Sequence, residues 1–234
     1  MEQRRDSATA YIILADGFET IEALTPLDVL RRCGVEVTTI SLNKTRAVRS
    51  SHGVTVEADA TMEDFMDNCN CCASGTGTGT NTSIAGTSSS AGSSTTASSA
   101  NTTAGTSTNV SGTMRQALIL PGGYPGYKNL CESAEVGALI TQFHKEGKLL
   151  CAICGAPTAL KANQICRGAA ITCHTSVKEE LSDYYSILSS AVVKYMNIIT
   201  GMGAGRSLDF AFAIAESLTS KEKVEEIKAK MEII

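Results

Sequence analysis

The stretch Leu149-Leu150-Cys151-Ala152-Ile153-Cys154-Gly155-Ala156-Pro157-Thr158-Ala159-Leu160 restricts this chain more than any other. Its first half is a short, unbroken apolar run, the signature of a parallel strand buried on both faces. Two small residues and a proline follow Cys154. Proline suits the first turn of a helix, where its missing N–H would go unbonded anyway. Gly155 and Ala156 allow a sharp turn with little steric penalty. The pattern predicts a strand–turn–helix corner with Cys154 at its apex, a nucleophile elbow with cysteine in place of serine. Free N–H groups at the helix start favour an anion, and so a thiolate. The competing reading is a buried structural cysteine at a strand end. A redox pair of Cys151 with Cys154 is disfavoured, because residues three apart on a strand point to opposite faces.

Composition narrows the class. A chain of 234 residues with net charge −4 and no basic block has length for a real core and no footprint for sequence-specific nucleic-acid binding. Nine cysteines without framework spacing indicate free thiols in a reducing compartment. The charged opening Met1-Glu2-Gln3-Arg4-Arg5-Asp6 leads into no apolar signal core, and the run from Ala10 to Ala15 is too short to span a bilayer. The expected location is cytoplasmic, with no membrane partner.

Along the chain, strands are expected over Tyr11–Ala15 and Val35–Leu42, around a helix from Ile21 to Cys33 whose apolar side carries Leu24, Leu27, Val29 and Leu30. A hairpin is expected to pair Ala47–Ser50 with Val54–Ala58, and a short helix to cover Met62–Met66. From Ala73 to Thr113 the chain is almost wholly Ser, Thr, Gly, Ala and Asn, which form no apolar face to offset ordering entropy. This segment is expected to be a flexible insert within one domain spanning 8–234. Its sequons at Asn81, Asn101 and Asn109 read as by-products of composition. Cys69, Cys71 and Cys72 lack the partner ligands of a metal site.

After the insert, Ala117–Leu120 reads as a strand running into Pro121-Gly122-Gly123, where paired glycines suit close backbone approach to a ligand. A helix over Ser133–Glu146 precedes the elbow. Ala170–Thr172 reads as a strand delivering Cys173 and His174, with a helix capped near Ser176. Strands are expected over Ala191–Val193 and Met196–Thr200. Helices are expected over Leu208–Leu218 and Lys221–Ile234, and Met231, Ile233 and Ile234 are candidates to dock on the body or a second subunit. Helices alternating with strands predict an α/β sheet, whose chemistry gathers at the strand C-termini. Four loops fit that place: Asp16–Glu22, Pro121–Gly126, Cys154–Pro157 and Thr172–Thr175.

The motifs Leu14-Ala15-Asp16-Gly17-Phe18-Glu19-Thr20-Ile21-Glu22, Pro26-Leu27-Asp28-Val29-Leu30-Arg31-Arg32, Leu120-Pro121-Gly122-Gly123, Ala152-Ile153-Cys154-Gly155-Ala156-Pro157 and Gly203-Ala204-Gly205 resemble the ThiJ/PfpI superfamily, closely its Parkinsonism-associated deglycase branch. The resemblance implies a flavodoxin-like three-layer sandwich with a mostly parallel central sheet, and a homodimer. It implies that Cys154 is the nucleophile and oxidation sensor, and that Glu22 shares a proton with its sulfur. It implies that Gly123 and Gly155 N–H groups hold an oxyanion. His174 matches a histidine near the pocket, catalytic or structural. Two activities are then expected of such a site. One is cofactor-independent and metal-free conversion of small 2-oxoaldehydes, or their early protein adducts, to hydroxy acids. The other is redox sensing with chaperone-like output, through oxidation of Cys154. Gly155 stands where the peptidase-like branch carries a histidine, which argues against proteolysis. His52 stands where relatives often have an arginine reaching the partner subunit.

Overall fold

The computed structural model describes residues 8–68 and 115–233. The insert expected over 73–113, its sequons and the Cys69, Cys71 and Cys72 cluster lie outside the described residues. Near-continuous apolar runs become the strands β1 (Thr9–Leu14), β2 (Glu36–Ser41), β6 (Gln116–Leu120), β7 (Leu149–Ile153) and β11 (Ile198–Gly201). All five residues of β6 are buried, as a strand covered on both faces requires.

The central sheet has seven strands in the order β10-β11-β7-β6-β1-β2-β5, with β5 at Ala60–Thr61 and β10 at Val192–Tyr195. All neighbours run parallel except β10, which pairs antiparallel with β11 and forms one edge. From β1 the chain winds outward one way through β2 and β5, and the other way through β6, β7 and β11. The order therefore reverses between β1 and β6, the place where open α/β sheets leave a crevice for ligands.

Helices cover both faces, making the expected three-layer sandwich. On one face α1 (Thr20–Arg32), α7 (Ser207–Leu218) and α8 (Lys221–Lys230) pack with Ala10, Ile12, Ile119, Cys151 and Ile153 in one apolar cluster. On the other, Tyr11 meets Phe65 of α2 (Met62–Asn68) and Phe143 of α4 (Ala134–Lys145), with ring centroids 4.9 and 6.1 Å apart. The hairpin forms as β3 (Ala47–Arg49) and β4 (Thr55–Glu57). Ser133 caps α4 by accepting the Val136 N–H at 3.2 Å, where the sequence begins that helix.

Several expectations are corrected. The buried stripe of α1 is Glu22, Ala23, Pro26, Val29 and Leu30, while Leu24 and Leu27 are only half-buried. The helix is thus turned so that a glutamate occupies a core position. Pro26 sits inside α1 and has no N–H for the Glu22 carbonyl one turn earlier. A helix absent from the sequence reading, α3 (Gly126–Glu132), lies between β6 and α4, because a glycine start and a length of seven residues give almost no periodic signal. The strand before His174, β8 (Ala170–Ile171), is not part of the central sheet; it pairs with β9 (Ser186–Ile187) in a separate two-stranded sheet. His174 itself, not Ser176, caps the turn Thr175–Val177 that leads into α6 (Lys178–Leu181), its Nδ1 accepting the Ser176 N–H at 3.2 Å. The last helix ends at Lys230; Met231 packs against the core and Ile233 is exposed.

The chain returns from the undescribed segment at Arg115, whose carbonyl accepts the N–H of Thr9 at the start of β1 (2.9 Å). That is the N-terminal end of the strands. No helix among the described residues is long and apolar enough to cross a membrane.

Candidate active site

The corner after β7 forms as the local sequence requires. Cys154 has φ 65°, a left-handed conformation that a non-glycine residue adopts only when its surroundings impose it. Its N–H donates to the Gly201 carbonyl (3.0 Å), and its own carbonyl accepts the His174 N–H (2.9 Å). The backbone on both sides is thereby pinned. Pro157 opens α5 (Pro157–Ala162). A β-carbon on Gly155 would lie 2.7 Å from the Tyr127 ring, so no larger residue fits behind the cysteine without moving that ring.

Glu22 reaches the same point from α1. It is fully buried, and its Oε2 accepts the Gly122 N–H at 2.8 Å. Its Oε1 is buried without a well-formed hydrogen bond, and the Cys154 thiol is the polar group facing the carboxyl. The N–H groups of Gly155 and Gly123 are directed at the sulfur, so both glycines expected as donors converge on Cys154.

These contacts set a proton balance that differs from the expected standing thiolate. Burial pushes the Glu22 carboxyl from 4.5 up to about 7, against the pull of the Gly122 N–H. Burial and the facing Glu22 charge push the Cys154 thiol up to about 12, against the two glycine donors. The two groups form a coupled pair: the first proton leaves near neutral pH and loss of the second is opposed strongly, so the pair keeps at least one proton there. The thiolate exists here when the proton moves to the carboxyl.

Gly122 was read from the sequence as one of two glycines suited to close backbone approach, and the structure shows what approaches it. A β-carbon there would lie 2.6 Å from Glu22 Oε2, 2.7 Å from Cys154 Cβ and 3.1 Å from Cys154 Sγ. Its missing side chain is the space in which the carboxyl and the thiol meet. Gly122→Ala is expected to lower unfolding free energy by roughly 1–3 kcal/mol through overpacking in a site with no slack. Urea melts check this, and an unchanged midpoint would show that the pair yields easily.

The thiol opens into a pocket of about 610 Å3, lined also by Glu19, Glu22, Gly123, His174, Met202 and the segment 203–206. His174 therefore reaches the site despite its separate sheet, held there by its backbone bond to Cys154. With Nδ1 accepting from Ser176, the ring proton belongs on Nε2, which makes the neutral imidazole a donor from that atom. Glu19 is largely covered, its Oε2 lying 3.3 Å from both Ser51 Oγ and His52 Nδ1 of the hairpin. Glu19 belongs to the loop Asp16–Glu22 expected at the site, whereas Met202 was not read from the sequence as a pocket residue, since nothing local distinguishes it from a core methionine. Cys151 is fully buried and unpaired, and burial pushes its thiol up, so it takes no part. Among the described residues no group of three or more His, Cys, Asp or Glu is placed to hold a metal ion.

Comparison with known proteins places this geometry in context. The family model described as DJ-1/PfpI family matches residues 8–217. The fruit fly (Drosophila melanogaster) protein dj-1beta is 32% identical over 222 residues, covering 94% of this chain and 95% of its own. Its crystal structure superposes with a TM-score of 0.75 at 30% identity, covering 97% of this chain and 99% of that one. A Caenorhabditis elegans protein named glutathione-independent glyoxalase DJR-1.2 is 38% identical over 107 residues, which is 45% of this chain and 56% of its own length.

Proposed function

Because the chain belongs to the DJ-1/PfpI family, we propose that it is a glyoxalase-type enzyme that needs no cofactor and converts 2-oxoaldehydes such as methylglyoxal and glyoxal, or their early protein adducts, to hydroxy acids. The observation that carries this reading is the buried Glu22 carboxyl, raised to about 7, facing the Cys154 thiol at a left-handed elbow. The relative named as a glyoxalase supports the same direction.

The chemistry follows from the pair. Glu22 accepts the thiol proton as Cys154 Sγ adds to the aldehyde carbon, forming the S–C bond of a hemithioacetal. The Gly123 and Gly155 N–H groups, already directed at the sulfur, lie where the new oxyanion develops; such a donor contributes about 3–4 kcal/mol in acyl-transfer enzymes. Glu22 then returns that proton to the oxyanion, and as a carboxylate again it takes the proton of the former aldehyde carbon and delivers it to the neighbouring carbonyl carbon, while the hydroxyl proton passes to the oxygen of that second carbon. The first carbon is oxidised and the second reduced, so electrons balance within the substrate. The resulting thioester is hydrolysed by water, which releases the hydroxy acid and restores the thiol. Protein adducts of the same aldehydes would enter by losing the amine or guanidine as the sulfur adds. His174, a donor at Nε2, completes the polar lining and is assigned substrate contact in this proposal.

The test is direct. Purified protein and methylglyoxal, without added thiol or metal, should yield lactate, and mass spectrometry of the quenched enzyme should show the adduct on Cys154. No lactate would reject the reading. Deleting Ala73–Thr113 is expected to leave this turnover within about twofold, since the chain returns at the end of the sheet away from the elbow. A large loss in a folded deletion variant would place the insert at the site instead.

A second reading, an oxidative-stress sensor, is favoured by the unpartnered Glu22 Oε1. A protonated carboxyl there would donate to a Cys154 sulfinate and stabilise it. Selective sulfinate at Cys154 under mild peroxide, with negligible aldehyde turnover, would favour this reading. The proposal keeps a homodimer and a cytoplasmic location; exposed Ile21 and Val54, near the start of α1 and on the hairpin, are apolar surface that a second copy would cover.

A further inference from the structure

The pocket is larger than its smallest substrates require. At about 610 Å3 it falls in the range of roughly 300–1,000 Å3 that holds drug-sized ligands. Its wall therefore has something to recognise beyond the reacting carbonyls, and the charges on that wall say what.

Two carboxylates line the pocket, and each is engaged by groups of the protein itself. Glu19 accepts from Ser51 Oγ and faces His52 Nδ1, both at 3.3 Å. Glu22 is buried and engaged with Gly122 and Cys154. Arg206 is the lining residue with a permanent positive charge. It ends the turn Ala204–Arg206, and its backbone N–H is tied to the Gly203 carbonyl at 2.8 Å, which fixes where its side chain starts. The guanidinium is more than half exposed and lies 3.6 Å from Asp209, itself more than half exposed. A pair that long and that solvated holds its cation weakly. The five donors of Arg206 thus remain available to a planar or tetrahedral anion. His174, a donor through Nε2, lies on the same wall: Gly203 approaches its ring, a β-carbon there being 3.4 Å from Cδ2.

We infer that Arg206 is a specificity-determining residue, selecting 2-oxoaldehydes whose far end carries an anion, a carboxylate or a phosphate ester, over neutral ones. The inference rests on the aldehyde chemistry proposed for Cys154. Arg206 touches the substrate's tail and takes no part in the bond changes at the sulfur.

Two measurements test it. In the first, Cys154 of the full chain is alkylated by N-ethylmaleimide and by its carboxylate-bearing analogue 3-maleimidopropionate. Arg206→Met is expected to lower the anionic-to-neutral rate ratio by about tenfold, the size of a lost charged hydrogen bond, and Arg206→Lys to keep most of it. In the second, kcat/KM is compared for methylglyoxal, for 4,5-dioxopentanoate and for 3-phosphooxy-2-oxopropanal. Arg206→Met should lower the anionic-to-neutral ratio by about tenfold, mainly through KM. A loss confined to one of the two anionic aldehydes would identify carboxylate or phosphate as the tail recognised. If both ratios are unchanged in Arg206→Met, the inference is overturned. If the wild type turns over none of the aldehydes, the catalytic proposal fails, while the maleimide ratio still decides whether Arg206 reads an anion beside Cys154.

Discussion

Replacing Cys154 with serine is expected to abolish lactate formation from methylglyoxal, a loss of at least about 10³-fold, with little change in stability. A hydroxyl in the same place is a far weaker acid than a thiol, and a carboxyl raised to about 7 is too weak a base to deprotonate it. The size change is small, and the constraints on the corner are backbone constraints: the bonds to Gly201 and His174 do not involve the side chain. The variant should therefore melt close to the wild type while losing both turnover and the mass adduct. Lactate assays on protein purified under reducing conditions decide the matter. Residual turnover within tenfold of the wild type would mean that the reacting group is elsewhere, and Glu22 would then need another partner.

How much of this was legible in the sequence depends on how local each cause is. The elbow was legible because everything that makes it is contiguous: a buried parallel strand, two small residues, and a proline at the first helical turn. Strands β1, β6 and β7 were legible because burial on both faces leaves unbroken apolar runs. Glu22 was different. A glutamate in the first turn of a helix is ordinarily a solvated residue favoured by the dipole, and only the family resemblance singled it out. The physical mark was present in the spacing, since Glu22 stands one turn before Pro26 and two before Val29 and Leu30, all of them buried. Reading Leu24 and Leu27 as the apolar side turned the helix the wrong way and hid it.

The roles of Gly122 and Arg206 depend on non-local geometry. Gly122 matters because α1 and the ends of β6 and β7 converge on one point, and no spacing along a chain states how closely three segments will approach. Arg206 directly follows the Gly203-Ala204-Gly205 motif, but its place in the wall follows from the turn that joins β11 to α7. His174 shows the opposite case. The strand preceding it was assigned to the wrong sheet, and the residue still reaches the pocket, because a backbone bond to Cys154 carries it there independently of β8.

Glu22→Gln is expected to move activity and stability in opposite directions. Glutamine keeps the shape and still accepts from Gly122, but it neither takes the thiol proton nor returns one, so turnover should fall by about 10²–10⁴-fold. Stability is governed by the sign of the proton linkage. The Glu22 carboxyl titrates near 4.5 when unfolded and about 7 when folded, so between those values the folded protein binds more protons than the unfolded chain. Wild-type stability must then fall as pH rises through that window, by roughly 3 kcal/mol in all for a shift of that size. Above about 7 the loss is complete, because a buried carboxylate has replaced a buried acid. Glutamine does not titrate, so the variant escapes this loss. Relative to the wild type it should gain that same amount of stability between pH 4 and pH 8, as read from denaturant midpoints across the range. A general folding defect cannot produce this combination, since it would lower both quantities together. A wild-type stability that stays flat from pH 5 to 8 would remove the raised carboxyl, and with it the base that the proposed addition step requires.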